Sequence, residues 1–252
     1  VPTSSIDEID YDALEQMWAT LEPAVATAGA LQPAGQRFAD ALYETFADTV
    51  ALVRVFATVE LRQLPAADRD FVDAFATARN ARERMDDGTS VLSLMGTRGV
   101  EPAWNDRMRS EGHLGVPLVS SDFVDGIPMI ARLLREIGFQ PHWSATGHKA
   151  GLVMKTLANV NGVFFVDDAR SARDDLGRRI IPAQDFVERY RVRSVFGFGG
   201  SYLSGTTFVT AIVFASRPLL RSQAMIFVPL VGYFKAATTR MVNRGAFFLP
   251  SA

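Results

Sequence analysis

Ser194–Ser216, "SVFGFGGSYLSGTTFVTAIVFAS", runs for 23 residues without a charge, and this stretch limits the fold more than any other. A segment of that length is enough to cross a bilayer as a helix. Its composition argues against one. Gly199-Gly200-Ser201 and Gly205 interrupt it, and both halves are rich in the Val, Phe and Thr that suit a pleated strand. The pattern predicts two strands joined by a Gly/Ser turn. A membrane is therefore not an expected partner. The start, "VPTSSIDEIDYDALEQMW", is too acidic and polar for a secretory signal.

The segment after the paired strands is helical in pattern. Leu220, Ala224, Phe227, Val231, Phe234, Thr238 and Met241 recur at intervals of four and three, either a coiled-coil-like seam or a core-facing one, with a kink at Pro229. Upstream, Ser5 and Glu8 offer a capping box before Leu14, Met17, Trp18 and Leu21. A break comes after Pro23, and a second helix is expected from about Pro33 to Asp48. "VALVRVFATVEL" (50–61) and "VLSLMG" (91–96) read as strands, with a helix opened by Pro65 between them and "LGVPLV" (114–119) as a short apolar piece. Phe123, Ile127, Ile130, Leu134 and Ile137 predict one helix that carries Pro128 in its first turn and stops at Gly138. "GLVMKTLANV" and "GVFFV" are strand candidates around an Asn161-Gly162 turn, and "PAQDFVERY" (182–190) is a short helix.

Strands interleaved with helices, several joined by short turns, give an α+β fold on a largely antiparallel sheet. The expected organisation is an N-terminal helical extension over 1–33, a domain over 34–242 and a tail over 243–252. That tail, with "GAFFLPSA", looks sticky enough to dock on a neighbour.

Net charge excludes one class of partner and the absence of cysteine excludes several chemistries. At −2 overall, with no Lys/Arg run longer than two, the chain has no field for a nucleic-acid backbone. Without a single Cys it has no disulfide, thiolate metal site, thioether-linked chromophore or Cys nucleophile.

Three pieces of the second half, "GVFFVDDARSARDD", "PAQDFVERYRVRSVFGFGG" and "GTTFVTAIVFASRPLLRSQAMIFVPLVGYFKAA", resemble the second half of a GAF domain. The matching features are Asp167-Asp168, Phe186-Val187, Arg193-Ser194, the strand Thr206 to Phe214 and the helix from about Leu219. The resemblance covers 150–242 and is looser over 34–149. It is closest in character to N-terminal sensory modules of bacterial hybrid histidine kinases. It implies a six-stranded antiparallel sheet with helices on one face and a ligand pocket on the other. It also implies cytoplasmic location, a homodimer through terminal helices, and output through a histidine kinase or another module. The cyclic-nucleotide signature of the family is absent, because Phe164 and Phe165 lead directly into Asp167-Asp168.

The expected role is small-molecule sensing, not enzymatic turnover, since no acid/base pair stands out. The ligand and any cofactor remain unnamed by the residues. Candidate ligand contacts gather in "EPAWNDRMRSEGH" (101–113), where Trp104, Asn105, Arg107 and His113 join an apolar platform to hydrogen-bonding groups. The bland reading of the same loop is a Trp plug with local ion pairs. Trp143, Lys155 and Tyr202 are the other candidates, placed near the pocket by the GAF resemblance or at a hairpin tip. A non-covalent haem held by His113, His142 or His148 is an alternative, as is a protein-binding scaffold whose pocket is empty. Asp167-Asp168 with Arg170 and Arg173 reads as a capped turn, and "GFGGSYLSG" (197–205) as a strand connection and not a phosphate loop.

Overall fold

The computed structural model describes residues 5–109, 114–138, 161–203 and 207–250. The chain begins with α1 (Tyr11–Ala26) and α2 (Leu31–Thr45), and the long strand β1 (Val50–Glu60) comes after them. Next are α3 (Ala66–Thr77), β2 (Ser90–Gly99), the short β3 (Gly115–Pro117), α4 (Ser121–Asp125) and α5 (Pro128–Glu136). The second half supplies β4 (Asn161–Val166), α6 (Gln184–Arg189), β5 (Ser194–Ser201), β6 (Phe208–Ala215), α7 (Arg221–Met225) and α8 (Val228–Asn243). The six strands form one antiparallel sheet in the order β3-β2-β1-β6-β5-β4. This is the α+β arrangement that the GAF resemblance implies, and the uncharged 194–216 stretch is its β5–β6 pair. Among the described residues no helix is long and apolar enough to cross a membrane.

Register decides which side chains share a face, because side chains alternate along a strand. Val53, Val55 and Ala57 of β1 pair with Val213, Ala211 and Val209 of β6. That face carries the helical layer: Phe38 of α2 meets Phe198 and stacks on Phe234 of α8, and Phe227 packs on Phe196 and Phe198. Leu52, Arg54 and Phe56 face the other way, opposite Phe214, Ile212 and Thr210. α5 and α6 lie on this second face, with Leu133 over Gly197 and Phe186 edge-on to Phe214.

The close approach of α2 to the sheet depends on two glycines. A Cβ at Gly96 would sit 2.3 Å from the Gly35 carbonyl oxygen, and one at Gly35 would sit 2.7 Å from the Met95 Cβ. At that distance Gln36 donates to the Thr97 carbonyl at 2.9 Å and accepts from the Thr97 N–H at 3.1 Å, while Gln32 donates to the Met95 carbonyl at 3.1 Å. Glutamine amides thus cover the part of β2 that lies beyond β3. The opposite edge is closed in a similar way. Glu136 accepts from the Phe165 N–H at 3.1 Å, Arg132 donates to the Phe165 carbonyl at 2.9 Å, and Arg221 donates to the Val163 carbonyl at 3.0 Å. Both edges are blunted by side chains from packed helices.

Several local expectations are corrected. α1 starts after Asp10, whose carboxylate accepts from the Ala13 N–H, and it continues through Pro23 to Ala26. Ser5 bonds Asp7 in a turn instead of forming a box with Glu8. The stripe 123–137 is two helices: Ser120 caps α4, and Pro128 takes the first turn of α5. Asn161 and Gly162 are strand residues paired with Gly200 and Gly199, not a turn. Glycine is required at 162 because a Cβ there would lie 2.7 Å from Ile137 Cα.

The seam also divides, α7 ending before Phe227 and Pro229 opening α8 rather than kinking it. Ala224, Phe227, Val231, Phe234, Thr238 and Met241 are buried inside the protomer, and Leu220 alone of the set is exposed. The seam is therefore core-facing. The tail docks on its own chain, since the Leu31 and Gln32 N–H groups donate to the Ala246 and Phe247 carbonyls at 2.9 and 2.8 Å. These bonds satisfy amides that the start of α2, which has no side-chain cap, leaves open.

Candidate functional site

The described residues cover the second face of the sheet only in part. Between it and the covering segments lies a cavity of about 440 Å³. Leu52, Arg54 and Phe56 of β1 and Ile212 and Phe214 of β6 form its floor. Its walls are the first turn of α5 (Ile127 to Ile130), the segment Ile181 to Ala183 with Phe186, and the loop holding Ala103, Trp104 and Arg109. The volume and the mostly apolar lining fall in the range of small-molecule sites.

Local chemistry fixes each wall. Pro102 starts a tight helical turn over Pro102–Asn105, and the Asn105 side chain accepts from the Gly99 N–H at 2.9 Å, tying that turn to the end of β2. Trp104 is thereby set beside Gly99, where a Cβ would lie 2.8 Å from its ring. Its indole packs on Tyr190 and Phe186 with ring centroids 4.7 and 5.5 Å away. Glu101 closes the arrangement by accepting from the Tyr190 hydroxyl at 2.6 Å. That bond and partial burial hold the Tyr190 hydroxyl above its usual pKa. Loop 101–109 and α6 are in this way clipped together at the cavity's rim.

Arg54 is the unusual residue. It projects from the middle of a strand whose neighbours are buried, and it lines the cavity floor. Its Nε is enclosed without a hydrogen-bond partner, and no ion pair involves it among the described residues. Across the ladder its partner is Thr97, whose buried hydroxyl also lacks a hydrogen bond. Burial alone pushes the guanidinium down to about 10. Among the described residues the lining contains no carboxylate; Arg109, its other charged member, is largely exposed and sits 3.7 Å from Asp106.

The candidates from the sequence divide between three places. Trp104 lines the cavity. Asn105 holds the turn behind it and is not part of the lining. Arg107 also lies outside the lining: its Nε donates to the Leu94 carbonyl at 2.9 Å and its Nη atoms pair with the buried Asp68. Tyr202 belongs to the opposite face, where its hydroxyl bonds Thr238 of α8 at 2.7 Å and burial pushes its pKa up. His113, Trp143 and Lys155 lie outside the described residues, as do His142 and His148. Asp168 accepts from the Ser171 hydroxyl at 2.5 Å, and that bond holds its carboxyl below the usual range in a capped turn.

No protein-family model matches the chain, and no curated protein matches it significantly. Among solved structures, it is similar to the chromophore-binding domain of a bacteriophytochrome from R. palustris, with TM-score 0.42, 8% identity, 93% of this chain covered and 64% of that one. A far-red-absorbing dark state with bound biliverdin IXα gives TM-score 0.42 and 9% identity, covering 90% of this chain and 99% of the other. A bacteriophytochrome structure from the photosynthetic bacterium R. palustris gives TM-score 0.37 and 10% identity over 92% of this chain and 41% of that one.

Beyond Trp104, the cavity residues carry no motif that marks them. Arg54 does leave a trace, as the one charge within the apolar run 50–59. Ile127, Ile181, Ile212 and Phe186 leave none, because each reads as ordinary core.

Proposed function

We propose that this chain is a small-molecule-sensing regulatory domain of GAF type, with its ligand held between the sheet and the α5, α6 and Trp104 segments. The observation that carries the reading is the cavity itself, an apolar space of about 440 Å³ whose walls come from separate parts of the chain. Such walls close on an occupant by small shifts of several elements, which gives a ligand a means of favouring one arrangement. Arg54 and Arg109 are the titratable groups in the lining, and an arginine keeps its proton at neutral pH. The lining therefore favours binding over turnover.

From the GAF resemblance we carry over a cytoplasmic role in bacterial signal transduction, with output through a histidine kinase or another module. A homodimer on this reading uses outward faces of the terminal helices, where Tyr11 and Tyr233 are exposed, because Phe227 and Phe234 are packed inside.

Fluorine NMR on protein labelled with 5-fluorotryptophan tests the binding site. The Trp104 resonance, assigned with Trp104→Phe, is expected to move when a mixture of small aromatic acids and amides is added. Trp18, packed against Phe38 and Tyr233 on the far face, is expected to stay. A silent Trp104 at saturating probe would refute the cavity as the binding site.

A further inference from the structure

We propose that Arg54 is the anchor for a single carboxylate, so that the molecule taken up is an amphipathic monocarboxylic acid with an apolar, preferably aromatic, body. The inference rests on the binding reading above and narrows it to a ligand class.

Three observations converge. Arg54 lies in the floor of the cavity, on the strand face that the helical layer leaves open. Its Nε is enclosed with no partner, and the hydroxyl of its cross-strand neighbour Thr97 is enclosed without one as well. The surrounding lining is Leu52, Phe56, Trp104, Ile212 and Phe214, and among the described residues no acidic side chain of the lining neutralises the charge. Part of the Arg54 side chain stays accessible, but its Nε has lost its hydration without gaining a partner, and a cation beside apolar walls is stabilised by a counter-charge. Elsewhere in this molecule a buried arginine has its acid: Arg107 is paired with Asp68. Arg69 and Arg98 also have an Nε enclosed without a hydrogen-bond partner, but of these three arginines only Arg54 lines the cavity.

The chemistry of the missing counter-charge is set by the donors. A guanidinium presents a planar fork that matches a carboxylate with two parallel bonds. One positive charge in an apolar wall is neutralised by one negative charge. A phosphate dianion would leave net charge behind in a low-dielectric space and would ask for more donors than Arg54 provides in the lining. The remaining volume is lined by aliphatic and aromatic groups, which reward an apolar body. Arg109 at the rim, largely exposed, attracts anions toward the mouth without being buried with them.

The test compares 2-naphthoate with 2-naphthamide, backed by straight-chain carboxylates of six to twelve carbons and their primary amides, on the full chain by isothermal titration and ligand-observed NMR. The native protein is expected to bind the acids about tenfold or more tightly than the matched amides, as a charge-assisted pair predicts. Arg54→Met is expected to remove that preference by weakening the acids far more than the amides, and Arg54→Lys to restore part of it. The melting temperature of Arg54→Met, read without probe, is expected to rise, which separates loss of an anchor from loss of the fold. Equal binding of acids and amides, or acid binding that survives Arg54→Met, overturns the anchor while leaving the cavity reading intact. Failure of every acid and amide to bind the native protein overturns both.

Discussion

Two arginines with opposite surroundings make the residue scale instructive. Arg107 is paired with Asp68, and both side chains are nearly enclosed, at 12% and 3% exposure. Removing one member of such a pair strands the other, so Asp68→Ala is expected to cost about 3–5 kcal/mol in urea unfolding. Among the described residues Arg54 has no acid, and its removal acts in the opposite direction. Arg54→Met exchanges an unpaired charge for a shorter apolar chain that fills the space up to the Nε, and stability at neutral pH is expected to rise by about 1–3 kcal/mol. The pH dependence has a definite sign. In the folded protein burial pushes the guanidinium down from its ordinary value to about 10, so the unfolded chain holds its proton more tightly. The penalty is complete below about pH 10 and is relieved as the pH rises above it, so the advantage of Arg54→Met over the native chain shrinks there. An advantage that grows with pH in paired melting curves would contradict the assignment.

At the scale of elements, the layers are held by contacts with little slack. α2 touches β2 through Gly35 and Gly96, and no side chain fits between them. Gly96→Ala is expected to lift α2 away from Thr97, break the Gln36 bonds and destabilise the fold by about 1–3 kcal/mol. Restored stability in a truncated neighbour such as Met95→Ala is not expected, because the clash at 2.3 Å is with backbone. On the same side Phe234 is 1% exposed and stacked on Phe38, so Phe234→Ala is expected to cost about 3–5 kcal/mol by calorimetry. A seam that served a dimer alone would show a change of mass in sedimentation instead.

These elements also show what a sequence displays and what it conceals. The β5–β6 pair is legible because Val, Phe and Thr in an uncharged run with internal glycines suit strands. Asn161-Gly162 misleads, because a glycine needed for contact with Ile137 has the same letter as a glycine needed for a turn. The stripe from Phe123 to Ile137 keeps its spacing across the gap between α4 and α5, so periodicity alone does not reveal the break.

For the whole molecule, the proposed function depends on a space that no continuous segment builds. The floor comes from 52–56 and 212–214, and the walls from 103–109, 127–130 and 181–186. Trp104 can be picked out for its chemistry, but its partners Phe186 and Tyr190 lie more than eighty residues away and become neighbours only when α6 packs on the sheet. The helical layer and the cavity are separated by the sheet. Substitutions such as Phe234→Ala are therefore expected to alter stability with little effect on which molecules bind, and substitutions in the cavity to do the reverse.

The most direct measurement is binding of the naphthoate and naphthamide probes to the native chain beside Met129→Trp, which puts an indole into the cavity from the first turn of α5. One-to-one binding to the native protein that is lost in the folded Met129→Trp variant is the predicted result. Binding that persists in the filled variant, or no binding to the native protein at millimolar probe, would contradict a ligand site between the sheet and its partial cover.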